Sequence, residues 1–211
     1  MKVYDLTHKF NIEDMVFPGT PAMSCERTHT IEKDQYNLTL VKVNSHAGTH
    51  TDAPLHFVEG GKALGDVDIN RYVGECYVVN LYQKGALDEI TVEDVKPYEE
   101  EIRKAKRVIL ATGWYEHYNT EEFFTKYPPI SVECAKYLVS LGIVLLGVDG
   151  PSLSEYAGEE VHKLLLGSEV AVVESLTNLK ELAGKEIIFC GAPLAFVNMD
   201  GFPIRAYAIE K

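Results

Sequence analysis

"SVECAKYLVSLGIVLLGVDG", residues 131–150, decides the fold class. In its first half Cys134, Ala135, Leu138 and Leu141 recur at three- and four-residue intervals, the spacing of one helix face. Ser131 stands where a hydroxyl can cap the first turn, and Gly142 suits the left-handed residue that closes a helix. The second half, residues 143–148, is apolar without alternation, as a strand covered on both faces must be. "RVILATG" (107–113) has the same character. Strand, helix and strand in this order predict a parallel β-α-β unit.

Working outward, "ECYVVNLY" (75–82) reads as another buried strand. "TVEDVKPYEEEIRKAK" (91–106) reads as a helix capped at Thr91 and broken or restarted at Pro97. "EEVHKLLLG" (159–167) predicts a short helix and "EVAVVES" (169–175) a strand. "LTLVKVNS" (38–45) is β-branched and alternating, a strand expected to lead into the stretch that follows it. "KEIIFCGAPLAF" (185–196) and "RAYAIE" (205–210) read as strands bracketing Asn198-Met199-Asp200-Gly201, where Asp-Gly predicts a tight hairpin turn. The fold class is therefore α/β, a mixed sheet with flanking helices, in a single domain over residues 1–211.

Composition narrows the function. The net charge of −12 repels phosphate backbones and anionic membranes, so neither nucleic acid nor a membrane is an expected partner. No apolar run reaches the roughly 18 residues of a membrane span, and "MKVYDLTHKF" lacks the apolar core of a signal peptide. Cys25, Cys76, Cys134 and Cys190 lie far apart, which predicts reduced thiols and a cytoplasmic protein. The chain has no Gly-x-Ser-x-Gly elbow, P-loop or dinucleotide fingerprint.

"NSHAGTHTDAPLHF" (44–57) carries three of the seven histidines. Gly48, Thr49, Thr51 and Pro54 make it a poor helix, and Pro54 pushes Ala53 towards extended backbone. In extended chain, His50 and Asp52 point the same way. With Gly48 turning the backbone, His46, His50 and Asp52 can surround one cation. Two imidazoles and a carboxylate suit a catalytic metal site, which keeps a place for water. His56, four residues past Asp52, is either a further ligand or a general acid/base.

"HAGTHTDAPLHF" resembles the HxGTHxDxPxH signature of the metal-dependent cyclase/hydrolase family, which includes bacterial kynurenine formamidases. "YDLTH" and "VFPGTP" are similar to that family's opening segment, "ATGW" (111–114) and "GVDGPSL" (147–153) to its central blocks, and "VHKLLLGSEVAVVESLTNL" (161–179) to its closing block. The resemblance implies that His46, His50 and Asp52 hold one metal. Asp52, His162 and Glu174 serve a second or complete the first, and His56 is the general acid/base. It implies a swivelling β/β/α domain assembled as a homodimer or homotetramer. The cofactor would be Zn2+, in one or two ions, or Mn2+. It also implies hydrolysis of an amide-type C–N bond, above all in the arylformamidase reaction of tryptophan catabolism, N-formylkynurenine to kynurenine and formate. The alternatives are the same site acting on an isatin-like cyclic amide, an imide or a small ester, or a binding protein without catalysis. Many relatives carry an acid where Ser154 stands and some a tryptophan where Phe17 stands. Neither position is expected to touch a metal ligand, and Phe17 is expected to bind substrate.

From the residues alone, His162 would be an exposed or capping residue of its helix and Glu174 a surface charge ending a strand. Asp149 either lines an active site past the end of a parallel strand or makes an ordinary Asp-Gly-Pro turn. His8, His29 and His117 read as surface residues, and Trp114 and Tyr115 as core packing.

Overall fold

The computed structural model describes residues 1–154 and 159–211. The strands in chain order are β1 (Val3–Asp5), β2 (Ser24–His29), β3 (Leu38–Lys42), β4 (His50–Asp52), β5 (Val73–Asn80), β6 (Arg107–Ala111), β7 (Leu145–Val148), β8 (Ala171–Glu174), β9 (Glu186–Cys190), β10 (Gly201–Pro203) and β11 (Tyr207–Glu210). The helices are α1 (Ile31–Asp34), α2 (Val92–Val95), α3 (Glu99–Ala105), α4 (Glu121–Thr125), α5 (Val132–Ser140) and α6 (Glu160–Gly167). Among the described residues nine strands form one mixed sheet in the order β1-β11-β9-β5-β6-β7-β8-β4-β10. The run β5-β6-β7-β8 is parallel and the remaining pairs are antiparallel.

The predicted β-α-β unit is β6-α5-β7. Ser131 Oγ accepts from the Cys134 amide, and Gly142 has φ +78°. Along β6, Val108 and Leu110 join the core beneath α3, α5 and α6, while Ile109 and Ala111 join a second core on the other face. That two-sided burial is why these strands show no polar alternation. The helices cover one face only. The other face closes on itself: the sheet curls so that Leu6, at the end of β1, takes its place in the second core with Leu176. The Leu6 amide donates to Ala206 O and the Thr177 amide donates to Leu6 O, while Thr7 bridges Leu176 just past β8.

The helix at 91–106 breaks at Pro97 as expected, a short 3-10 turn there separating α2 from α3. Thr91 and Asp94 cap the first reciprocally. The strand at 38–45 ends at Lys42 and pairs only with β2, in a separate two-stranded hairpin whose β3 residues are all exposed. The Asp-Gly hairpin is not formed as predicted. The two predicted strands, β9 and β11, do pair antiparallel, but not through a tight Asp-Gly turn: Gly201 begins β10, which lies between them in the chain and pairs with β4. Asn198 does adopt φ +59°, so the local turn signal was real while the partner of the following strand was not local.

Candidate metal centre

β4 lies between β8 and β10, and its registers build the centre. His50 sits opposite Glu174, and Asp52 opposite Gly201. Side chains that are 124 residues apart in sequence thus meet across one antiparallel pair. Ala53 is extended as Pro54 requires, and residues 54–56 form a 3-10 turn that brings His56 back over the strand. Gly48 has φ +60°, and a side chain there would meet the Phe10 ring at 3.0 Å, so both backbone and space call for glycine.

His50 Nδ1 donates to Gly48 O at 2.8 Å, which aims Nε2 inward. Nε2 lies 3.3 Å from Glu174 Oε2 and 3.5 Å from Asp52 Oδ1. Both His50 Nε2 and Asp52 Oδ2 are fully buried without a hydrogen-bond partner among the described residues. His162 Nε2 is 3.0 Å from Glu174 Oε1 and 4.0 Å from Asp52 Oδ2. His46 Nδ1 is 2.8 Å from Asp52 Oδ1 and its Nε2 is 2.8 Å from Asp200 Oδ2. The His56 ring stacks on His46 with centroids 3.8 Å apart. Donor atoms of His50, Asp52 and Glu174, and of His46, Asp52 and His56, each fall within 4.8 Å of one another, with Asp52 common to both groups.

The four imidazoles thus face three carboxylates. Burial works against charge on His46, but Asp52 and Asp200 outweigh it and push the group up to about 10. Burial likewise opposes charge on His162, and Glu174 overcomes it upward. Burial of Asp52 favours its neutral form, yet the neighbouring imidazoles, His46 foremost, drive it down. A buried group of carboxylates that holds protons on His46 and His162 is a site calling for positive charge. Two inward-facing donors with no partner are what a cation would satisfy. The mixed imidazole and carboxylate set fits a divalent ion of the zinc or manganese kind.

His162 and Glu174 are buried, against the surface reading of each. In α6, His162 shares the inward face with Val161 and Leu165. Ser154 does touch a candidate ligand: its Oγ lies 3.5 Å from His162 Nδ1, so the expectation that this position stands apart is corrected. The distance is long for a hydroxyl, and an acid there would reach further. Phe17 packs edge-on against Phe124 and borders a cavity of about 310 Å³ whose wall includes His46, His50, His56, His162 and Glu174.

Asp149 is buried just past β7 and is not among the residues that line this cavity. It accepts from the Thr112 and Gly113 amides and from Thr112 Oγ1, pinning the loop after β6, and burial raises it to about 6. Trp114 is core, donating through Nε1 to Phe123 O. His8 is not the surface residue expected: it is half-buried, stacked at 3.8 Å on Tyr118, with Nε2 unpartnered among the described residues. His29 stacks on Tyr36 and His117 on Trp114, both partly exposed. The residue missed altogether is Asp200. Its signal was Gly201, since a glycine opening a strand marks close approach by another group.

The sequence model of the Cyclase family, described as "Putative cyclase", matches residues 4–155. The chain belongs to the Cyclase family. Among its relatives is a kynurenine formamidase of Bacillus cytotoxicus, 30% identical over 96% of this chain and 94% of the relative. A kynurenine formamidase of Geobacillus thermodenitrificans is also 30% identical, over 98% and 96% of the two chains. Among solved structures, a potential metal-dependent hydrolase with cyclase activity superposes with a TM-score of 0.81 at 28% identity, covering 100% of this chain and 99% of that one. An isatin hydrolase bound to the product analogue thioisatinate shares the fold at TM-score 0.87 and 23% identity, over 100% and 93% of the chains. This Cyclase family member matches each of these relatives over more than nine-tenths of the relative's length.

Proposed function

We propose that the protein is a metal-dependent hydrolase of amide-type C–N bonds, an arylformamidase that converts N-formylkynurenine to kynurenine and formate. The single observation that carries this is the convergence of His50, Asp52 and Glu174 on unpartnered inward donors beside a cavity of about 310 Å³. The relatives named kynurenine formamidase support the substrate. Residues 1–211 act as one catalytic unit in this reading. His46, His50, Asp52, His162 and Glu174 hold one or two divalent ions, zinc or manganese. A divalent ion in such a donor set lowers the pKa of water and polarises a carbonyl.

The remaining work falls to the chain's own residues. His56 lines the cavity, and burial holds it below the usual histidine range, so it is neutral and able to accept a proton at neutral pH. It takes the proton from the attacking water and returns it to the departing aryl nitrogen, so that the C–N bond breaks to an amine rather than an anion. Asp52 and Glu174 stay ionised beside their imidazole partners and keep the centre electronegative. Phe17 and Phe57 offer ring faces to the aromatic half of the substrate, while the small formyl group enters towards His50. The exposed β2–β3 hairpin, with Leu38, Leu40 and Val41 open to solvent, supports assembly as a homodimer or homotetramer. A lone hairpin is marginal in water. The four free cysteines support a cytoplasmic setting.

The test is metal analysis of the purified protein with aryl-formamide turnover measured before and after chelation, alongside isatin. Turnover that chelation abolishes and zinc or manganese restores is the expected result. Bound metal with no hydrolysis of any test amide refutes the hydrolase reading, and isatin turnover alone refutes the formamidase assignment. His56→Ala should keep its metal and lose about 10²–10⁴-fold in kcat. Parental turnover in that variant would remove His56 from the mechanism.

A further inference from the structure

Asp200 touches two residues of the centre and belongs to neither donor group. It stands just before β10, where its carbonyl accepts from the Ala53 amide at 2.8 Å, so its backbone is tied to the end of β4. Its Oδ2 lies 2.8 Å from His46 Nε2, 3.6 Å from His56 Nδ1 and 3.3 Å from Ser45 Oγ, which donates to it. The other nitrogen of His46 is 2.8 Å from Asp52 Oδ1. His46 is thus strung between two carboxylates while its ring lies against that of His56.

We propose that Asp200 is a positioning residue for both imidazoles. An imidazole that ligates an ion is neutral, so it donates from one nitrogen and offers the lone pair of the other. A carboxylate can only accept, so Asp200 takes the proton-bearing Nε2 of His46 and leaves the Nδ1 lone pair facing the shared donor group around Asp52. This is the outer carboxylate that ligating histidines ordinarily require to fix tautomer and ring orientation. The same oxygen faces His56 Nδ1, so one side chain sets the angle of the ligand and keeps the acid/base residue stacked beside it. Gly201 completes the arrangement. A Cβ there would lie 2.7 Å from His46 Cε1, so the strand bearing Asp200 approaches the imidazole only because the next residue has no side chain. This assignment rests on the reading above, in which His46 ligates and His56 transfers the proton.

Asp200 is partly exposed, and its replacement removes no core contact. The experiment compares the zinc-loaded parent with Asp200→Ala and Asp200→Asn. It measures zinc affinity by chelator competition, solvent exchange of the His46 Nε2 proton by 1H–15N spectra, and aryl-formamide turnover. Asp200→Ala should lose about 10–100-fold in zinc affinity and kcat, with KM nearly unchanged and with the His46 Nε2 proton exchanging faster. Asp200→Asn keeps an acceptor and should fall between the two. Parental zinc affinity with parental exchange at His46 in Asp200→Ala overturns the proposal. A fall in kcat with both of those unchanged also overturns it, because Asp200 would then act on substrate directly. If the parent hydrolyses no aryl formamide, the functional reading fails alone, and the zinc and exchange measurements still decide the role of Asp200.

Discussion

Gly201→Ala tests the geometry of the centre without replacing any donor residue. The backbone at Gly201 is not in the left-handed region, so alanine adds no conformational strain and the effect is steric. The new methyl would sit 2.7 Å from His46 Cε1, 3.2 Å from His46 Nδ1 and 2.8 Å from Thr51 O. Carbon atoms rest at about 3.5–4.0 Å, so something must yield by roughly 1 Å. Thr51 O belongs to the strand paired with β10 and is buried. His46 is the softer neighbour, and its displacement breaks the 2.8 Å contacts to Asp52 and Asp200. Overpacking of this kind costs about 1–3 kcal/mol, or about 2–12 °C in Tm for a chain of this length. A misplacement of about 1 Å costs catalysis about 10²-fold, and zinc affinity should fall with it. Gly184→Ala is the control. Its φ of +79° predicts strain of about 1–2 kcal/mol, but nothing lies within 4 Å of the added atom, so zinc affinity and kcat should not change. Thermal melts, chelator competition and steady-state kinetics on the three proteins decide the matter. If Gly201→Ala binds zinc and turns over like the parent, the packing of β10 against His46 is not what holds the site.

Chelation should lower the Tm at neutral pH. An ion at one hundred times its Kd stabilises the fold by about 2.7 kcal/mol, or about 5–10 °C here, and an unchanged melt would mean that no ion binds the native state. His8 sets an acid sensitivity of its own. Burial, partly opposed by Asp14, holds it down to about 4, while in the unfolded chain it titrates near 6.5. Between those values the unfolded state binds the extra proton, so stability falls as pH falls through this window. After allowance for partial exposure the loss is about 1–2 kcal/mol. His8→Phe keeps the stack on Tyr118 and removes the proton. The difference in urea midpoint between parent and variant should therefore change between pH 7 and pH 4.5, and parallel curves would exclude His8 as a cause.

Local pattern made much of this protein legible. The continuous apolar runs at 108–111 and 145–148 identified parallel strands because both sheet faces are buried, and the helical spacing at 134–141 identified α5. The crowding of His46, His50, Asp52 and His56 around Gly48 and Pro54 pointed to a cation because a glycine turn and extended chain suffice to gather them. What sequence could not decide was everything set by pairing at long range. His162 and Glu174 look like surface residues within their own segments, and only the register of β4 against β8 puts Glu174 opposite His50. Asp200-Gly201 carries the same turn signal whichever strand β10 joins, so its place beside His46 follows from the β4–β10 pairing alone. His8 was misjudged for the same reason, its environment being made by Tyr118 far along the chain, while Ser154 was misjudged at short range because α6 turns His162 back towards it. Periodicity and turn chemistry act over a few residues and are written in the sequence. Registers between distant strands follow from which apolar faces must be buried together, and that is known only when the whole core is assembled.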